Sequence, residues 1–118
     1  MLVEIEHTED ICILRLKGRF VTGADKDYLS EKAEEIKSRN CRKVLADFRD
    51  VPYIDSTGIG FVVGLYTSIT KNREGRFVLV GASPRVSDVL ALTRLNTVIP
   101  LAEDMSSGLA SLDSGATG

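Results

Sequence analysis

The segment Asp55-Ser56-Thr57-Gly58-Ile59-Gly60 sets an acid, two hydroxyls and two glycines just ahead of an apolar stretch. It follows the strand-like run 44–48 after a short loop. Asp and Ser at such a point accept hydrogen bonds from the free N–H groups of a first helical turn. The same N–H groups and the helix dipole favour added negative charge, a phosphate above all. Two roles are therefore open to Ser56: helix cap, or acceptor of a phosphoryl group. Spacing alone favours the cap, and the two roles are compatible.

Other chemistry-bearing patterns are weaker. Gly58-x-Gly60-x-x-x-Gly64 invites comparison with a dinucleotide-binding turn, but the loop 49–54 separates it from its strand. The next strand ends in Gly81-Ala82-Ser83, with no acid to hold a ribose. Ser56 lacks the flanking glycines of a nucleophile elbow, and the only histidine, His7, lies near the end of the first strand. Asp47, Asp50 and Asp55 do not reproduce a calcium loop and read as turn or cap residues. Cys12 and Cys41 form neither a metal-ligand spacing nor a CxxC pair, so Cys12 reads as a small core residue and Cys41 as a turn residue, both as reduced thiols. No catalytic, cofactor-binding or metal-ligating set is expected.

Composition narrows the class further. The chain has 118 residues, 43% hydrophobic and 27% charged, which suits one globular domain. Fifteen Lys and Arg against seventeen Asp and Glu give a formal charge of −2, with no clustered basic face for nucleic acid. Arg39, Arg42 and Lys43 read as a solvated turn. No apolar run approaches the ~20 residues that span a bilayer. Neither nucleic acid nor membrane is expected as a partner, and a cytoplasmic location is.

These residues need elements to position them. Leu2 and Ile5, then the run 11–16, read as two strands joined by a turn at Thr8-Glu9-Asp10, with 19–21 as a short extension. Leu29, Ala33 and Ile36 recur at helical spacing, giving an amphipathic helix from about Ala24 to Ser38. The run 44–48 reads as a central strand parallel to a neighbour, followed by a helix from about Thr57 to Lys71. Residues 77–81 form the next strand, and Ser83-Pro84 starts a third helix with Ser83 as its cap. Residues 98–101 read as an edge strand, and Asp104 as the cap of a last helix through Leu109 and Leu112. Alternating strands and helices imply an α/β layer with right-handed crossovers.

On a helical wheel centred on Ile59, the residues Val62, Val63, Tyr66, Ile69 and Thr70 form the expected sheet-facing side of the second helix. Phe61 and Leu65 fall nearly opposite, beside Ser68, with Gly60 and Gly64 between. That arrangement predicts an outward Phe61–Leu65 docking patch next to Ser56. The alternative is that the last helix or the tail covers it.

The run 44–48 followed by Ile54-Asp55-Ser56-Thr57-Gly58-Ile59-Gly60 resembles the signature of the STAS family, which joins sulfate transporters and anti-sigma factor antagonists. Gly18-Arg19-Phe20, and Gly81-Ala82-Ser83-Pro84 with Val89-Leu90, match the same pattern, so the resemblance covers nearly the whole chain. It implies an α/β fold: a single STAS-like domain over residues 1–113, with 114–118 as a flexible tail. The sheet would be mixed, of about four to five strands, with about four helices packed mainly on one face.

The free-standing length resembles the anti-sigma factor antagonists, and that resemblance implies a partner-switching cycle without catalysis or cofactor. Ser56 stands at the position phosphorylated by the anti-sigma factor serine kinase, with Thr57 as the second hydroxyl and Asp55 as the adjacent acid. The unphosphorylated chain would bind that kinase and free a sigma factor; phosphorylation would release it, and a phosphatase would reset it. The implied partner-binding residues are Asp55, Ser56, Thr57, Gly58, Gly60, Phe61, Gly64 and Leu65. A homodimer is compatible with the same patch. The alternative is a non-switching STAS module, either a scaffold subunit of a stress-signalling assembly or a soluble component of a lipid transporter.

Overall fold

The computed structural model of the chain describes residues 1–20, 25–71 and 75–114. Its strands are β1 (Leu2–Thr8), β2 (Ile11–Lys17), β3 (Lys43–Asp50), β4 (Arg76–Val80) and β5 (Leu101–Ala102). Its α-helices are α1 (Lys26–Ser38), α2 (Ser56–Thr70), α3 (Pro84–Leu92) and α4 (Met105–Ser114). The strands form one sheet in the order β1-β2-β3-β4-β5, with β1 antiparallel to β2 and every other pairing parallel. The expected mixed α/β sheet is thus present, with β3 in its centre.

The period-2 alternation of the strands sorts side chains to two faces. Val44, Ala46 and Phe48 of β3 join Leu14, Leu16, Phe77 and Leu79 in the main core, packed with residues of α1, α2 and α3. Leu45 joins Val78 and Val80 on the other face, where α4 lays Leu112, Met105 and Leu109 against them. Three helices therefore cover one face and one covers the other. On the α4 face Asp47 is buried, and Arg49 grips it through Nε to Oδ1 at 3.0 Å and Nη2 to Oδ2 at 2.8 Å.

Several local expectations hold. The Ser83 hydroxyl caps α3 by accepting the Val86 N–H at 3.3 Å, and Asp104 caps α4 by accepting the Ser107 N–H at 2.8 Å. Others are corrected. Residues 19 and 20 do not extend β2; instead Phe20 turns inward as a buried residue, and Val21 lies outside the described residues, as does the Ala24 start expected for α1. The last strand is Leu101–Ala102 alone, because residues 95–97 wind into a 3₁₀ turn and Pro100 has no N–H to pair. Cys12 and Cys41 are joined as a disulfide with Cα atoms 5.9 Å apart, where two separate reduced thiols were expected. Helix α4 runs through Ser114, one residue into the expected tail; 115–118 lie outside the described residues.

Candidate functional site

The loop between β3 and α2 is pinned at both ends. Val51 and Ile54 are buried, the Val51 N–H donates to the Phe48 carbonyl, and the Ser83 hydroxyl donates to the Pro52 carbonyl at 3.3 Å. Asp55 is the N-cap of α2, with extended backbone and its Oδ1 accepting the Gly58 N–H at 3.1 Å. The Ile59 N–H then donates to the Asp55 carbonyl at 2.9 Å, the first bond of the helix. Capping therefore belongs to Asp55. Ser56 is the first helical residue, exposed, and its side chain makes no hydrogen bond among the described residues. A serine hydroxyl at the positive end of a helix, free of structural duty, is accessible to a transferring enzyme.

Gly58 lets this turn sit tight on the core. A Cβ there would come within 2.7 Å of Ile54 and 2.8 Å of the Phe20 ring. Gly60 and Gly64 are different: nothing lies within 4 Å of a Cβ built at either, and both are exposed. They form the floor of a groove of about 510 Å³ between α1 and α2. Ser56, Thr57, Phe61 and Leu65 line it on the α2 side; Lys26, Leu29, Ser30, Ala33 and Lys37 line it on the α1 side.

The outward Phe61–Leu65 patch is corrected by this packing. Phe61 is 8% exposed and Leu65 1%, both belonging to the main core. The last helix does not cover them, since it packs on the other face of the sheet, and the expected tail beyond it lies outside the described residues. It is α1 that covers them, with Leu29 and Ala33 facing them across the groove. The buried stripe of α2 runs through Gly58, Phe61, Val62, Leu65 and Ile69, whereas Ile59, Val63, Tyr66 and Thr70 are only half-buried.

Of the eight residues expected to bind a partner, Ser56, Thr57, Gly60, Phe61, Gly64 and Leu65 share the groove. Asp55 stands behind them as cap, and Gly58 is buried and sealed off by Ile54 and Phe20. The sequence reading missed the α1 wall. Its signal was present in the spacing of Leu29 and Ala33, read there only as the mark of an amphipathic helix. It also missed the exposed Tyr53 ring, over which the Arg85 guanidinium lies at 5.5 Å, tying the site loop to the start of α3. No helix among the described residues is long and apolar enough to cross a membrane.

The model of the STAS domain family matches residues 3–108. The chain is 23% identical over 111 residues to the anti-sigma F factor antagonist of Paenibacillus polymyxa, covering 94% of each chain. Its fold is similar to that of an anti-sigma factor antagonist from Mycobacterium paratuberculosis, with a TM-score of 0.84, 17% identity, and coverage of 95% of this chain and 93% of that one. It is also similar to the anti-sigma factor antagonist SpoIIAA in its unphosphorylated form, with a TM-score of 0.77, 19% identity and 97% of each chain covered. Against the phosphorylated form of the Bacillus SpoIIAA the TM-score is 0.65 at 21% identity, covering 87% of this chain and 93% of that one.

Proposed function

This chain belongs to the STAS domain family, and from that membership we propose that it acts as an anti-sigma factor antagonist switched by phosphorylation of Ser56. Unphosphorylated, it binds an anti-sigma factor that is also a serine kinase, and the sigma factor goes free. Phosphorylated, it leaves that partner until a phosphatase resets it. The observation that carries the reading is the Ser56 hydroxyl: exposed, unbonded among the described residues, and relieved of capping by Asp55. The solved phosphorylated and unphosphorylated forms of SpoIIAA, a protein of similar fold, support it.

The switch is local and electrostatic. A phosphate on Ser56 adds about −1.5 to −2 charges and three acceptor oxygens. Attraction to the helix end is worth only ~0.3–1 kcal/mol, so the fold itself is little changed. At a packed interface the same group must be stripped of water beside the groove. A penalty of ~3 kcal/mol there weakens binding about a hundredfold. Partner side chains enter over Gly60 and Gly64, where the helix offers open floor. Two cations line the same groove, Lys37, paired with Glu34, and Lys26, which makes no ion pair among the described residues and so is available to answer the phosphate.

The test is incubation of the chain with its cognate anti-sigma kinase and ATP, read by intact mass and peptide mapping. One phosphate on Ser56 is expected, and Ser56→Ala abolishes labelling while keeping kinase binding. Labelling confined to another residue, or a stable assembly indifferent to ATP, contradicts the reading.

A further inference from the structure

His7, Cys12 and Cys41 are far apart in sequence, yet their imidazole nitrogen and two sulfurs lie within 4.8 Å of one another. The juxtaposition is built into the sheet. His7 on β1 pairs directly with Cys12 on β2, so the two side chains project from the same face at the closest cross-strand distance. Cys41 arrives from the turn between α1 and β3. That turn is fastened by the Lys43 N–H to the Asp10 carbonyl at 3.1 Å and the Arg76 N–H to the Arg42 carbonyl at 2.7 Å. It is the one group of three such ligand residues among the described residues.

We propose that the reduced pair Cys12 and Cys41, with His7, binds a Zn²⁺ ion, and that formation of the disulfide closes this site. Two thiolates and an imidazole suit zinc, at Zn–S about 2.3 Å and Zn–N about 2.0–2.1 Å. An ion at those bond lengths keeps its donors roughly 3.5–4 Å apart, so reduction must let the two sulfurs part while all three donors stay within the 4.8 Å they now share. Cys12 is fully buried and Cys41 6% exposed, while His7 is exposed and forms the outer edge. Cys12 is thus shut off from water, whereas His7 and, more narrowly, Cys41 are reached from outside. A cavity of about 370 Å³ lined in part by Cys41, Asn40 and Ser68 gives small reductants a route to the sulfur.

The chemistry balances with a dithiol as reductant. The dithiol gives two electrons and two protons to the Cys12–Cys41 bond, leaving two thiols and an oxidised dithiol. Zinc then binds both sulfurs with release of their two protons. In the disulfide the sulfurs are spent on each other, and His7 alone holds no zinc.

The experiment uses the full chain, reduced by a non-chelating phosphine under inert gas and titrated with Zn²⁺ against a chromophoric chelator. Cobalt substitution supplies an independent thiolate-to-metal absorption band. The expected result is one zinc per reduced chain and none per oxidised chain. His7→Ala, at an exposed position, should weaken binding by more than the ~10–100-fold that loss of an outer-shell partner costs, and Cys41→Ser by at least as much. Circular dichroism confirms that both variants stay folded. Equal zinc affinity in reduced wild type and Cys41→Ser overturns the site, as does an unchanged affinity in His7→Ala.

Discussion

At the scale of single residues, one position of offset separates structural duty from availability. Asp55 and Ser56 are both good capping types, and spacing alone favoured Ser56 for the role, which the structure corrects to Asp55. What decides it is that α2 starts at Ser56, so Asp55 takes the cap and Ser56 is left exposed. Removing the cap with Asp55→Ala should cost about 1 kcal/mol in urea unfolding, while Ser56→Ala should cost little, since its hydroxyl bonds to nothing described. Gly58 was legible as part of the motif but not for its reason, which lies in Phe20 and Ile54, distant in the chain or hidden in a loop. Gly58→Ala forces these apart and should lower stability by about 1–3 kcal/mol. A melting temperature equal to wild type would show that the turn has slack.

At the scale of elements, helix existence and order were readable, and helix orientation was not. The wheel placed Phe61 and Leu65 outside because it assumed one buried face, the sheet. Helix α2 instead packs against both the sheet and α1, which swings its buried arc onto Phe61 and Leu65. Nothing local in residues 56–70 reports where α1 lies. Phe61→Ala should accordingly destabilise the domain by about 3 kcal/mol or more, as a core truncation does. Stability unchanged with binding lost would restore the surface patch. Gly64→Ala should go the other way, gaining up to about 1 kcal/mol from helix propensity because its Cβ meets open space. A bulky Gly64→Leu should keep the fold and block the groove, and calorimetry with the kinase reads the loss.

At the scale of the whole molecule, the alternation of strands and helices was enough to give the α/β class, and the central place of β3 followed from its short run 44–48, apolar but for Asp47. The contact of Cys12 with Cys41 was invisible because it joins a strand to the turn before its parallel neighbour, 29 residues on, and so depends on the pairing of β2 with β3. So was the charged cluster on the α4 face. Burial raises the Asp47 pKa, but hydrogen bonds from the Arg49 side chain and backbone, and its charge, outweigh this and hold it below the ordinary value. Asp104 is lowered by hydrogen bonds from Ser107, backbone first. Depressed carboxylate pKa values contribute stability above the unfolded value of about 3.9 and lose it as pH falls through the folded values. Stability should therefore be flat near neutrality and fall on acidification below about pH 4. Arg49→Met removes the pairing and leaves Asp47 to burial, which raises its pKa, so the variant should be less stable than wild type at neutral pH and the gap should narrow as pH falls below about 4, read by urea unfolding at each pH.

The account turns on whether charge at Ser56 decides association. The direct measurement is the dissociation constant of the cognate anti-sigma kinase for the chain carrying phosphoserine at position 56, set beside the unmodified chain under the same salt. The phosphorylated chain should bind about a hundredfold more weakly, the equivalent of ~3 kcal/mol, with its fold intact. Equal affinities for the two forms would contradict the switch.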